Sequence, residues 1–137
     1  MTRGLSRRAQ RRSAAFLLYQ RDLMDEQFEP LYEAYERDNQ QPVTEFTRRC
    51  AEGVWEDRES LDRRIDEAAR GWTADRLAVL ERNILRLAVW ELQAGDPPPA
   101  VVIDEAVGLA KRYASPEAAV LVNGILGKIA RTEGVGT

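Results

Sequence analysis

Arg7, Arg8, Arg11 and Arg12 stand close together in the stretch LSRRAQRRSAAFLLYQ, residues 5–20. On a helix, residues four apart are neighbours, so Arg7 pairs with Arg11 and Arg8 with Arg12, making one broad positive patch. A guanidinium is a planar fork of donors that holds phosphate oxygens in pairs and stacks on bases, so the chemistry on offer is polyanion binding. Left to itself the patch is unfavourable. Like charges at this spacing cost a few tenths of a kcal/mol per pair, and the start of a helix is already positive. No acid precedes Asp22 to offset them. A bound anion would compensate the repulsion; a solvated arginine face fits the same spacing. Tyr19, two turns further on, offers a stacking ring for an unpaired base, or else a core ring with its hydroxyl at the edge.

The charge distribution sharpens the question. The chain of 137 residues carries a net charge of −3. Six arginines and no acid precede Asp22, so the opening segment is +6. The remaining 14 basic side chains face all 23 acidic ones, leaving the rest at −9. That split suggests a polyanion-binding arm on a self-repelling body.

A hydrophobic share of 44% supports a packed core, and the length suits one domain over residues 1–137. Cys50 is the single cysteine, so no intrachain disulfide can form, which fits a reducing compartment. There is no histidine. The commonest general base and metal ligand are therefore missing, and zinc sites of the usual kinds are excluded. We expect no metal, no cofactor and no catalytic residue. No apolar run approaches the roughly 18 residues of a membrane span, so a cytoplasmic protein is expected.

The elements that must position these arginines read as helices. Ser6 caps a helix running to about Met24. Phe28, Leu31, Tyr32 and Tyr35 form the stripe of a second, and Pro42 breaks the chain. Thr44 caps a longer element carrying Phe46, Cys50, Val54, Leu61 and Ile65, with a bend near Glu59. Gly71 ends it, and Thr73 caps the next, with Asp75 in its first turn. Leu77, Leu80, Ile84, Leu87 and Glu91 follow with helical spacing. GDPPPA, residues 95–100, is the strongest break. Val102, Ile103, Ala106, Ala110 and Tyr113 form another apolar face. SPEAA opens a last helix at Ser115, with proline in its first turn and with Leu121, Val122, Ile125, Leu126 and Ile129 on its stripe. Gly124 inside that helix costs near 1 kcal/mol, which predicts another backbone packed close against it. No segment alternates like a strand, so the fold class is all-α.

RRAQRRSAAFLLYQ resembles the opening of the transcription antitermination factor NusB family. The likeness continues through GVWEDRESLDRRID, GWTADRLAVLERNILRLAVWEL, VVIDEAVGLAKRY and LVNGIL, in that family's order and spacing. It implies a helical protein of about six to seven helices in two packed sub-bundles, and no catalysis. It implies binding of the single-stranded boxA element of ribosomal RNA leader transcripts. The partners it implies are the ribosomal protein NusE and an RNA polymerase antitermination complex. Carried onto this chain, RNA-contacting positions are Arg8, Arg11 and Tyr19, then Glu81, Arg82 and Arg86, then Glu117 and the surroundings of Asn123; Arg7 and Arg12 join them from the charge pattern.

Roles differ by chemistry. Arginines bind phosphates and carry little sequence information. Glu81 and Glu117 are acceptors suited to a base amino group, or ordinary helix-start acids. Asn123 reads a base edge or fastens two helices. The chain departs from the family at Phe16, where glutamine is common, at Asp104, where asparagine is usual, and at Leu121, where an aromatic often stands. Two other readings remain. Related helical domains precede the catalytic domain of some ribosomal RNA methyltransferases, but no glycine-rich cofactor loop is present here. Alternatively the chain is an interaction bundle or homodimer whose arginines meet an acidic protein. Carboxylates such as Asp62 and Asp66, or Glu56 and Glu59, read as solvated salt-linked surface.

Overall fold

The computed structural model describes residues 4–69 and 77–132. Among these, seven α-helices and no strand occur: α1 (Arg7–Met24), α2 (Phe28–Asn39), α3 (Glu45–Glu56), α4 (Arg58–Ala68), α5 (Val79–Ala94), α6 (Pro99–Tyr113) and α7 (Pro116–Thr132). The chain divides into two compact units, Met1–Glu56 and Asp57–Thr137. The all-α expectation is met. The segment with Gly71, Thr73 and Asp75 lies outside the described residues.

In the first unit, α1 packs against α3 and α2. Ser6 starts α1 as its sequence suggested, its hydroxyl accepting from the Ala9 amide at 3.0 Å. Ala14, Leu17 and Leu18 give α1 an inward face with no exposed surface. Leu17, Leu31, Tyr32 and Val43 form one core cluster, with Phe28 and Tyr35 packed against it. Cys50 is a buried thiol. Polar ties fix the register of α1 on its neighbours. The Ser13 and Tyr35 hydroxyls share a hydrogen bond of 2.8 Å, and the Thr47 hydroxyl donates to the Gln10 carbonyl at 3.3 Å. Thr44 caps α3, accepting from the Thr47 amide at 3.2 Å.

The expected long third helix is two helices. α3 stops at Glu56 and α4 begins at Arg58, with Asp57 between them at φ −93°, ψ 6°. That bridge-region conformation interrupts regular α geometry, and aspartate, a weak helix former, yields to it easily.

In the second unit, α5 is the axle: Asn83 to Val89 are buried without a break, so the helix is covered nearly all round. It packs on α4, α6 and α7, and α6 packs extensively on α7. Gly95 ends α5 in the left-handed region at φ 82°, its amide donating to Glu91 and Leu92 carbonyls. A residue with a Cβ would be strained there. Proline starts both following helices. Ser115 caps α7, accepting from the Ala118 amide at 2.9 Å. The expected close packing at Gly124 is not found. A Cβ built there meets nothing within 4 Å, because α7 packs through Val122, Ile125, Leu126 and Ile129 and leaves Gly124 on its exposed side.

Candidate nucleic-acid interface

The first-unit candidates are arranged by one aromatic ring. Phe46, near the start of α3, receives the Arg7 guanidinium 3.9 Å from its ring centroid. Arg11 lies 5.9 Å from the same centroid, and so does Arg49, one turn along α3. Arg7 and Arg11 are four residues apart on α1, so both meet whatever packs against that side of the helix. Packing of α1 on α3 supplies Phe46 there. Three cations thus share one ring. Each such contact is worth about 0.5–1 kcal/mol at an exposed site. Arg7 and either neighbour, no more than about 10 Å apart, repel by at least about 0.4 kcal/mol in water and more near protein. The ring holds Arg7 and Arg49 without neutralising them.

Arg7 and Arg8 are exposed, Arg12 is half-buried and Arg11 is buried at 9% exposure. Among the described residues, no carboxylate forms an ion pair with Arg7, Arg12 or Arg49. A phenyl ring offers no oxygen acceptor, so the Arg7 N–H donors keep their capacity for phosphate. Tyr19 is half-buried on α1, neither a closed core ring nor a fully open one.

The second-unit candidates divide. Glu81 and Arg82 are half-buried near the start of α5, and Glu117 and Asn123 are exposed on α7. Asn123, being exposed, does not fasten two helices. Arg86 is otherwise. Its side chain is 6% exposed; its Nε and Nη2 donate to the two Asp62 oxygens at 2.7 Å each, and its Nη1 donates to Asn83 at 3.1 Å. This bidentate pair joins α5 to α4, so Arg86 leaves the set of expected RNA contacts and Asp62 leaves the solvated surface. Of the departures, Phe16 and Leu121 are half-buried and Asp104 is exposed.

Phe46 and Arg49 were missed in the sequence. Phe46 reads as one more member of a core stripe, and the signal that marks it, flanking arginines in EFTRR, becomes meaningful only once α1 lies alongside. Among the described residues, no cluster of three His, Cys, Asp or Glu could hold a metal, and no helix is long and apolar enough to cross a membrane.

Comparison with known proteins places this geometry. The sequence pattern of the NusB family matches residues 8–131. The transcription antitermination protein NusB of Rubrobacter xylanophilus is 39% identical over 126 residues, covering 89% of this chain and 88% of that protein. The solved structure of NusB from T. maritima superposes with a TM-score of 0.83 at 35% identity, over 94% of this chain and 93% of that one. A crystal structure of the antitermination factors NusB and NusE in complex with double-stranded RNA also superposes with a TM-score of 0.83, at 29% identity, over 92% of this chain and 96% of the matched one. The ring-organised arginine helix is therefore carried on a known framework: the chain belongs to the NusB family.

Proposed function

We propose that this protein is an RNA-binding, non-catalytic transcription antitermination factor. It acts in the cytoplasm with NusE on the boxA element of ribosomal RNA leader transcripts, within an RNA polymerase antitermination complex, and so supports ribosomal RNA synthesis. The observation that carries the reading is the arginine face of α1, with Arg7 and Arg12 outside any ion pair among the described residues, in a chain of this family. Arg7, Arg8, Arg11 and Arg12 bind phosphates; Tyr19 stacks on a base. Glu81, Arg82, Glu117 and Asn123 are assigned to RNA contact from the family resemblance. Their half-buried or exposed positions are compatible with it. A structural relative bound to NusE and RNA supports both partners.

With about four phosphate contacts, log affinity falls against log salt with a slope near −3 for a single strand. Co-purification with NusE, followed by titration with boxA and scrambled single-stranded RNA, tests the whole reading. The expected result is tighter binding of boxA in the presence of NusE. Equal weak binding of both RNAs with NusE present would remove sequence-specific recognition.

A further inference from the structure

We infer that the RNA-binding face does not stop at α1 but continues onto α3, where Arg49 supplies a further phosphate contact and Phe46 is the positioning residue that holds the two helices' cations on one surface. The inference rests on the reading of α1 as the RNA-binding helix and extends it to residues of a different helix.

The geometry is specific. Phe46 and Arg49 are three residues apart on α3, so they lie on one side of that helix. Across from them, Arg7 stands 3.9 Å and Arg49 5.9 Å from the same ring centroid. The two guanidinium carbons are therefore no more than about 10 Å from one another, close enough for the backbone of one strand to meet both. Both residues are exposed, and neither forms an ion pair with a carboxylate among the described residues. Their common contact is an apolar ring.

Chemistry separates this from a salt-linked surface. Glu45 and Glu52 are also exposed on α3, yet neither forms an ion pair with Arg49. A cation held by a ring keeps its charge and presents its N–H edge, the state a phosphate requires. Two such cations, one from each helix and both against Phe46, form a site for two phosphates of one strand. They supply affinity rather than base discrimination.

The test uses the full chain, NusE and labelled single-stranded RNA carrying boxA or its scrambled permutation, titrated over a series of salt concentrations. Removing one phosphate contact reduces the salt slope by about 0.7 and, near 0.15 M salt, lowers affinity about four-fold. Arg49→Ala is expected to do both, equally on the two RNAs, while Arg49→Lys keeps the slope. Phe46→Leu keeps every cation, so it is expected to weaken binding with an unchanged slope, and Phe46→Tyr to restore it. NusE binding without RNA is expected to be the same in all variants. If Arg7→Ala lowers affinity and slope while Arg49→Ala leaves both at the wild-type values, α1 binds RNA and the extension to α3 is wrong. If neither substitution changes binding, the α1 reading falls with it. A loss of NusE affinity in Arg49→Ala without RNA would assign Arg49 to an acidic protein surface and overturn the proposal.

Discussion

In the first unit, Arg7 lies over Phe46 at 3.9 Å with no carboxylate paired to it among the described residues, whereas Arg21 over Trp55 and Arg48 over Tyr32 also pair with Asp25 at 3.9 Å and Glu29 at 3.5 Å. In the second, Arg86 is gripped by both oxygens of Asp62 at 2.7 Å. A ring covers a guanidinium without cancelling its charge or satisfying its donors. Among the described residues, the buried Arg21 Nε has no hydrogen-bond partner. A carboxylate does both. The first arrangement stores cationic capacity at modest gain in stability; the second converts the cation into a structural tie and removes it from any ligand. Arginine count alone therefore says little about where an anion binds. What faces the guanidinium decides it.

Breaking the tie in the second unit should have the largest effect on stability. Asp62→Ala takes the bidentate carboxylate from a nearly buried guanidinium and is expected to cost about 3 kcal/mol. Urea denaturation reads this directly. Arg7→Ala, the matching change in the first unit, removes a surface contact worth about 0.5–1 kcal/mol. It should lower RNA affinity on every sequence, with a shallower salt slope. Similar stability losses from the two substitutions would erase the distinction between ring-held and carboxylate-held arginine.

The same distinction explains what was legible in the sequence. The caps at Ser6, Thr44 and Ser115 could be read because a capping side chain answers an amide three residues away, a purely local event. The arginine-rich face of α1 was visible for the same reason. Arg86 was not, since its spacing on α5 matches that of a surface arginine and its partner lies 24 residues earlier. Phe46 was hidden by periodicity, which marks one side of a helix but cannot say whether that side meets core or the cations of another helix. The break at Asp57 was read two residues late, as a bend, because apolar spacing runs on across it.

Alkali probes the ring contacts from another side. Burial first, then the carboxylate of Glu52 that accepts its hydroxyl at 2.7 Å, pushes the Tyr32 phenol well above its ordinary value of 10.0. In the unfolded chain that phenol loses its proton near pH 10, whereas in the folded one it stays protonated. The unfolded state is thus favoured as pH rises: the stabilisation is complete below about pH 10 and is lost progressively above it. Denaturation midpoints should hold up to about pH 10 and fall above it, and Tyr32→Phe should flatten the fall while lowering stability at neutral pH. An equally steep fall in Tyr32→Phe would assign it to other groups.

Two changes in α7 give the smallest effects and opposite signs. Ser115→Ala removes the cap to the Ala118 amide and is expected to cost ~1 kcal/mol. Gly124→Ala should do the reverse. A new methyl meets nothing within 4 Å, the backbone there is ordinary helix, and alanine loses less conformational freedom on folding. A gain of about 0.5–1 kcal/mol follows. The open side of Gly124 adjoins exposed Asn123, assigned above to RNA, so the variant also tests that assignment. Higher stability with unchanged RNA affinity would show that the glycine serves neither packing nor binding. Higher stability with weaker binding would mean that the strand approaches the backbone where no Cβ now stands.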